Sequence, residues 1–209
     1  MAFSYVPFLD SSSAARKFLT WQQTSGADTV ETYLASQHEP HLATYTVQSG
    51  GAVAALTAND HTLQIMAGAT LRVHLRRLLL YQVANAAADA SFQFSLFRLT
   101  TAGTGGTAIT PRPMDTADAA AGATAITLPT AKGTEGVVLW TGRVFIDNSV
   151  IVFGGAAHPL LDLDWRRDPL TKCPIIPAGT SNGLALKQIN NDASATFLVH
   201  AVFVESAVA

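Results

Sequence analysis

The sequence predicts an all-β protein: a jelly-roll-like two-sheet β-sandwich with an extended N-terminal arm and one short inserted helix. Three observations lead to this prediction. Apolar and polar residues alternate with the period of two that is typical of strands. Gly, Pro, Asn and Asp separate these stretches at short intervals, as in all-β sandwiches. About eight principal strands result, which is the number in a jelly roll.

The clearest strands lie at the C-terminal end, between Gly183 and Glu205. In the run from Ala195 to Val204, both alternating sets of side chains are largely apolar, which is typical of a strand covered on both faces. The turn-forming run Asn190-Asn-Asp192 separates this stretch from Gly183–Ile189 and tolerates positive φ. A hairpin is therefore predicted.

The other strands of the body are assigned in chain order to 45–47, 61–65, 71–81, 91–99, 125–128, 136–146 and 158–165. Segment 71–81 also fits a helical pattern, but we predict a strand because the neighbouring segments are strands. We expect 71–82 and 91–100 to pair as a second hairpin, with Arg76-Arg77 marking a bulge. Segment 136–146 is either a strand pair or one strand interrupted at Gly142.

Two connecting segments carry local signals of their own. Thr100 to Thr107 is rich in glycine and is predicted to be a flexible tip; it lacks the Lys-Ser/Thr ending of a phosphate-binding loop. Asp115 is a suitable cap for the alanine run that follows it, so a short helix is predicted from Asp115 to Ala121, ending at Gly122.

Residues 1–41 differ from the body, 42–209, and are predicted to form an arm used in anchoring and assembly. They show no sustained helical or strand period, and polar spacers separate their large apolar side chains. Because aromatic residues dominate interface energetics, we expect the arm to bind a partner through its aromatic side chains. These are Phe3, Tyr5, Phe8, Phe18, Trp21 and Tyr33. A wrap of the arm over the chain's own core is the open alternative.

Charge is sparse and unevenly distributed. Only 13% of the residues are charged, against an average of about 25%. Residues 1–41 hold four acidic and two basic residues, which leaves eleven of each in 42–209 and a body of zero net charge. Such a body has little repulsion against association and no basic field for nucleic acid. No apolar run reaches the ~18 residues of a membrane helix, so protein partners are favoured.

No catalytic, metal or cofactor site is predicted. Cys173 is the single cysteine, which excludes an internal disulfide and a cysteine-based zinc site. His38-Glu-Pro-His41 has no helix to align its histidines and is interpreted as a hinge. No nucleophile-elbow, paired-carboxylate or zinc-ligand spacing occurs, so no enzymatic activity is expected. The first residues lack the pattern of a secretion signal, so synthesis in the cytoplasm is expected.

Three sets of polar or aromatic side chains have a possible surface role. A basic stripe of Arg72, His74 and Arg76 is predicted to be solvated, with contact to an acidic neighbour as the alternative. A calcium site normally needs a glycine turn and further oxygen ligands, so pairing or solvation is favoured for the acidic cluster beside Arg166 and Arg167: Asp162, Asp164 and Asp168. Carbohydrate stacking is considered for Trp140 and Trp165, although their apolar strand patterns favour burial.

Three stretches resemble tailed-bacteriophage virion proteins with jelly-roll domains. The ending is similar in Ile176-Pro-Ala-Gly-Thr, Leu184-Ala-Leu-Lys-Gln-Ile-Asn and Phe197-Leu-Val-His-Ala-Val-Phe-Val-Glu205. The loop Thr101-Ala-Gly-Thr-Gly-Gly-Thr-Ala-Ile-Thr-Pro-Arg-Pro-Met-Asp115 resembles one seen in phage structural proteins. The opening Pro7-Phe-Leu-Asp-Ser-Ser-Ser-Ala-Ala-Arg16 resembles the arms of head or tail accessory proteins.

The resemblance implies a non-enzymatic capsid decoration or cement protein on the exterior of the virion. Its expected partners are the major capsid protein or neighbouring virion proteins, and its expected state is a homo-oligomer, most often a trimer. No cofactor, nucleic acid or membrane is expected as a partner. The alternative is a tail- or fibre-associated jelly-roll module that binds host carbohydrate, because jelly rolls also form lectins.

Overall fold

A computed structural model describes residues 2–9, 15–25, 28–33, 42–49, 60–84, 90–146, 159–166, 172–189 and 196–207. The chain divides into two compact units, Met1–His41 and Leu42–Ala209. Every regular element within the described residues is a β-strand, so the predicted all-β class is confirmed.

The N-terminal unit contains three antiparallel strands. They are β1 (Ala2–Leu9), β2 (Ala15–Ser25) and β3 (Asp28–Tyr33), in the order β1-β2-β3. Only two residues separate β2 from β3, and Ser25 lies opposite Asp28. Regular strands therefore occupy a segment whose sequence shows no sustained period. Its content of Thr, Val and aromatic residues suits a sheet.

The second unit contains twelve strands in its described part. They are β4 (Thr44–Gln48), β5 (His61–Met66), β6 (Leu71–Ala84), β7 (Ala90–Leu99), β8 (Thr107–Ile109), β9 (Arg112–Pro113), β10 (Thr124–Thr127), β11 (Glu135–Ile146), β12 (Leu161–Asp164), β13 (Ile175–Ile176), β14 (Gly183–Gln188) and β15 (Thr196–Ala207).

These strands form two antiparallel sheets that pack as a sandwich. One has the order β11-β7-β14-β5-β10-β8 and the other β12-β6-β15-β4-β9, with β13 beside β6. Without the short strands β8, β9, β10 and β13, the orders are β5-β14-β7-β11 and β4-β15-β6-β12. This alternation is the order of an eight-stranded jelly roll. The predicted jelly-roll sandwich is therefore confirmed. The short strands β8 to β10 are additions that lie between β7 and β11 in the sequence.

Both predicted hairpins are wrong. β14 lies between β5 and β7, whereas β15 lies between β4 and β6 in the other sheet. Likewise, β6 pairs with β12 and β15, and β7 pairs with β11 and β14. The physical reason is that each of these strands forms its backbone hydrogen bonds, along both edges, with strands that are distant in sequence. The predicted turn at 190–192 lies outside the described residues.

Local predictions have mixed outcomes. The bulge is confirmed, because Val202 faces Arg77 and Phe203 faces Leu75, which leaves Arg76 as the extra residue. The segment 135–146 is one strand, irregular near its start and not at Gly142. The helix predicted at 115–121 is wrong. Asp115 instead accepts a hydrogen bond at Oδ1 from the backbone N–H of Ala117, 2.9 Å away, which closes a turn.

The core fills the space between the sheets with inward-facing aromatic and aliphatic side chains. Phe197 is fully buried and meets Phe92 and Phe94 edge to face, with ring centroids 5.5 and 5.7 Å apart. Tyr45 stacks on Phe203 at 5.5 Å. This packing closes the middle of the sandwich, so surfaces available to a partner lie at its edges and outer faces.

One buried carboxylate fastens the long β9–β10 connection to the sandwich. Glu205, on β15, is 5% exposed. Its two oxygens accept hydrogen bonds from the backbone N–H groups of Gly122 and Ala123, at 3.0 and 2.7 Å. The Tyr45 hydroxyl donates to the carbonyl of Ala119 at 3.0 Å. Because burial of an ionised group is costly unless it is hydrogen-bonded, this arrangement holds the connection in place.

Candidate functional site

The edge strand β11 presents the largest group of exposed apolar side chains in the described part of the body. Val137 and Phe145 are 69% and 67% exposed, and Val138 and Leu139 are also open to solvent. We call these four residues the β11 surface. Scattered apolar residues are ordinary on a protein surface, whereas several on one strand indicate an interaction site.

The position of β11 explains this exposure. Among the described strands, β11 pairs only with β7, so its second edge has no described partner. A side chain on an edge strand has a neighbouring strand of the same sheet on one side only, so its other side is open. The β11 surface therefore results from strand order, and the sequence analysis did not single it out.

The pairing of β11 with β7 changes along the strand. Register shifts occur between Glu135 and Val138 and between Val138 and Trp140. From Trp140 to Ile146 the residues pair one to one with β7. Phe145 thus lies in the regular part, and Val137 lies in the irregular part. Irregularity of this kind reduces the ability of an edge to add further strands.

A cleft opens beside this edge, between the two sheets. It has a volume of about 270 Å³ and contains both tryptophans that the sequence analysis considered for carbohydrate stacking. Its lining comprises Leu96, Leu139, Trp140, Asp162, Leu163, Asp164, Trp165 and Pro174. Trp140 and Trp165 are half-buried and pack against the core, so each has one side in the sandwich. No local pattern in the sequence indicates that these two indoles share a cleft.

The acidic residues near the cleft are paired with arginines. Arg77 donates to both carboxylate oxygens of Asp162, at 3.0 and 2.9 Å. Arg166 donates to both oxygens of Asp164, each at 2.9 Å, and also through its backbone N–H at 3.0 Å. These hydrogen bonds lower the pKa of Asp164 well below its usual value. The favoured interpretation as paired side chains is confirmed for Asp162 and Asp164; Asp168 and Arg167 lie outside the described residues.

The basic stripe is less exposed than predicted. Arg72, His74 and Arg76 are all half-buried. Nε2 of His74 lies 2.8 Å from Oγ of Ser206. Burial lowers the pKa of His74, and the neighbouring arginines lower it further. The bulge at Arg76 changes which way successive side chains point, which a strict period of two does not anticipate.

The predicted arm contacts have defined backbone positions only. Phe3 lies opposite Trp21, Phe18 opposite Val6, and Tyr33 opposite Thr20. The side chains of Phe3, Tyr5, Phe8, Phe18, Trp21 and Tyr33 lie outside the described part of the chain, so their role in partner binding stays a prediction. The hinge residues 38–41 also lie outside it.

Metal and membrane sites were sought among the described residues. No group of three or more His, Cys, Asp or Glu side chains there has an arrangement that would hold a metal ion. In the same part of the chain, no helix has the length and apolar character needed to span a bilayer. Cys173 is half-buried, and burial raises the pKa of its thiol.

The chain matches no protein-family model, no curated protein and no solved structure. The class of protein that the strand order defines is a jelly-roll β-sandwich with a separate N-terminal unit.

Proposed function

We propose that the protein is a non-enzymatic structural component of a tailed-bacteriophage virion, a decoration or cement protein on the capsid exterior. The β11 surface is the observation that carries the assembly role. The phage assignment rests on the sequence resemblance. Jelly-roll domains occur in viral capsid proteins and in other classes of protein, so the fold agrees with the proposal without requiring it.

The body assembles into a homo-oligomer, a trimer in our proposal, through the β11 surface. Burial of exposed apolar side chains is the main favourable contribution to association. Residues 42–209 have no net charge, so copies of the body experience little overall repulsion. Val137 and Phe145 are the most exposed members of the β11 surface and make the largest apolar contribution.

The N-terminal unit attaches this oligomer to the shell. It holds the six aromatic residues Phe3, Tyr5, Phe8, Phe18, Trp21 and Tyr33, and its net charge is −2. Aromatic side chains supply large contact areas at interfaces. The partner is the major capsid protein or a neighbouring virion protein, and attachment uses the N-terminal unit while the sandwich faces outward.

Two separate measurements test the two surfaces. Deletion of residues 1–34 is expected to leave a folded oligomeric body that no longer binds phage particles made without the protein. Phe145→Lys is expected to leave particle binding through each subunit in place and to dissociate the oligomer in solution. Undiminished incorporation of the deletion variant, measured by electron microscopy of particles, would refute the anchoring role.

Carbohydrate binding is the second candidate, and the cleft between Trp140 and Trp165 favours it. Aromatic faces stack on sugar rings, and a volume of about 270 Å³ suits a small ring; drug-sized ligands usually occupy about 300–1,000 Å³. A glycan array separates this candidate from a purely structural role. Glycan binding by the wild type that is lost in Trp165→Ala supports carbohydrate binding. An array on which the wild type binds no glycan excludes it.

A further inference from the structure

A series of buried and part-buried hydrogen bonds connects the glycine-rich loop to β5 and β11. The backbone N–H of Gly103 donates to Oε1 of Gln64, 2.9 Å away. Nε2 of Gln64 lies 2.6 Å from Nδ1 of His61, and Nε2 of His61 lies 2.8 Å from Oε1 of Glu135. Lys187 donates to the second oxygen of Glu135 at 2.8 Å.

The donor and acceptor at each step of this series are fixed by chemistry. A backbone N–H only donates, so the Gln64 atom that faces Gly103 is the carbonyl oxygen. The amide group of Gln64 therefore donates to His61, whose Nδ1 has to accept and carries no proton. The remaining nitrogen, Nε2, carries the proton and donates it to the carboxylate of Glu135. His61 is thus held as one neutral tautomer.

The surroundings of His61 oppose a positive charge. His61 is fully buried, and burial is the largest cause that lowers its pKa. Glu135 acts in the opposite direction, whereas Lys187 and Lys132 add to the lowering. Lys132 is itself paired with Asp60 at 3.3 Å. These are the charged groups that face His61 from β11, β14 and the adjacent loops.

The glycine-rich loop, at one end of this series of hydrogen bonds, is part of a two-segment flap, which we define as residues 100–106 and 128–134. Thr104 and Ala131 exchange backbone hydrogen bonds of 2.8 and 3.1 Å, and Thr100 donates to the carbonyl of Thr134 at 3.0 Å. The segment predicted to be a flexible tip is therefore tied to a second segment. That prediction is wrong because its glycines allow close backbone pairing.

Gly103 is the point where the flap reaches β5. A Cβ atom at this position would lie 2.8 Å from either polar atom of the Gln64 side chain and 2.7 Å from the carbonyl of Ala131. The absence of a side chain is what allows the backbone to approach the buried amide. The Gln64 amide that bonds His61 thus also holds a backbone contact that a side chain at residue 103 would obstruct.

We propose that His61 is a proton-operated latch, in which protonation at Nδ1 breaks the hydrogen bond that holds Gly103 of the flap to β5. A proton on Nδ1 would face the amide group of Gln64, so two donors would oppose each other. Rotation of the Gln64 amide restores an acceptor to His61 and turns the NH₂ group toward Gly103. The backbone N–H of Gly103 then has no acceptor on β5, so this hydrogen bond is lost, whereas the pair between Lys132 of the flap and Asp60 remains.

The direction of the pH dependence follows from burial. A histidine whose folded pKa is lowered binds fewer protons than it does in the unfolded chain, so it stabilises the fold less as pH falls. The contribution is complete above the ordinary histidine pKa of 6.5 and declines as pH falls below it. The hydrogen bond from Gly103 to Gln64 breaks only when the folded His61 takes up a proton, so it is present at neutral pH and is lost in acid, below the lowered pKa of His61. This inference is independent of the proposed virion role.

Amide hydrogen exchange measured by NMR on the full-length protein tests the latch. The exchange rate of the Gly103 amide is divided by its intrinsic rate at each pH, because intrinsic exchange also changes with pH. Loss of one hydrogen bond predicts a fall in protection of about tenfold between neutral pH and pH 5. The ring ¹⁵N shifts of His61 should change over the same range, from the tautomer protonated at Nε2 to the charged form.

Two variants separate the latch from general acid effects. In His61→Gln, the new amide offers NH₂ to Glu135 and oxygen to Gln64 and takes up no proton in this range, so the protection of Gly103 should persist at pH 5. His200→Gln is the matched control. His200 is a half-buried histidine whose pKa is also lowered by burial. Its Nε2 lies 2.6 Å from Oγ1 of Thr46, in the sheet that does not contain His61, and its loss should leave the response of Gly103 unchanged.

The wild-type measurement decides the matter even where a variant does not fold. Constant protection of Gly103 down to pH 4.5 would overturn the proposal, whether or not His61 titrates. An equal loss of protection in His61→Gln would also overturn it, because a group other than His61 would then have to be the one whose protonation breaks the Gly103 hydrogen bond.

Discussion

The sharpest prediction concerns Phe145, on the regular part of the β11 surface. The residue is 67% exposed, and a buried aromatic side chain covers about 150–250 Å². An interface that covers the ring thus removes about 130 Å² from water, which contributes about 3 kcal/mol at 25 cal/mol per Å². Phe145→Lys should therefore weaken each subunit contact by up to about a hundredfold.

Met114→Lys is the matched control for this substitution. Met114 is also 67% exposed, but it lies in the connection after β9 and is not part of β11. Sedimentation velocity over a range of protein concentrations should show an oligomer for the wild type and for Met114→Lys, and a smaller species for Phe145→Lys. The reasoning is refuted if both variants behave alike, or if the wild type is monomeric at all concentrations.

Three further predictions concern stability. Glu205→Ala leaves two backbone N–H groups without their acceptor, at about 1–3 kcal/mol each when buried, so urea denaturation should show a loss of about 3 kcal/mol; a loss below about 1 kcal/mol contradicts this role. Asp164→Asn should destabilise at neutral pH because it weakens the pairing with Arg166. The folded pKa of Asp164 is lowered, so its pairing stabilises the fold above the ordinary carboxyl value of 3.8, and this stabilisation is lost as pH falls. The melting temperatures of variant and wild type should therefore converge in acid. A difference that stays constant with pH contradicts the assignment. Gly103→Ala should lower the melting temperature, because its Cβ would collide with Gln64; an unchanged melting temperature contradicts the close approach.

The sequence predicts strands well because strand formation depends on nearby residues. The alternation of Leu161 and Leu163 with Asp162 gives β12, and the two successive arginines locate the bulge at Arg76. The same local reasoning fails for the helix at Asp115. An aspartate that caps a helix also closes a turn, and the alanine run after it does not decide between them. Long-range fastening by Glu205 then holds the segment in its non-helical form.

Strand pairing was not predictable from the same signals. The turn residues between β14 and β15 indicate that the chain reverses, but they do not say whether the second strand returns beside the first or crosses to the other sheet. Both strands are apolar on both faces, which agrees with a central position in either sheet. The choice depends on β4 to β7, whose positions are far away in sequence.

The candidate sites depend on pairing and were therefore partly hidden. β7 and β11 both read as apolar strands, yet β7 lies inside its sheet and β11 lies at the edge. Only the strand order shows that Val137 and Phe145 are exposed. The cleft depends on the order in the same way, because Trp140 lies on the edge strand β11 and Trp165 directly follows β12, the edge strand of the other sheet.

The geometry of β11 also favours a closed oligomer over an open fibre. A long, flat and apolar edge would add strands without limit. In β11, register shifts interrupt the first part, and the regular part carries the exposed charge of Arg143. Contact through side chains such as Phe145 is therefore favoured over continuous backbone pairing. A side-chain contact repeated by a rotation that closes forms a ring of few copies, and one that does not close forms an open filament. We expect the closed form, so the oligomer should have one defined size across protein concentrations. A size that grows continuously with concentration would show that the contact does not close.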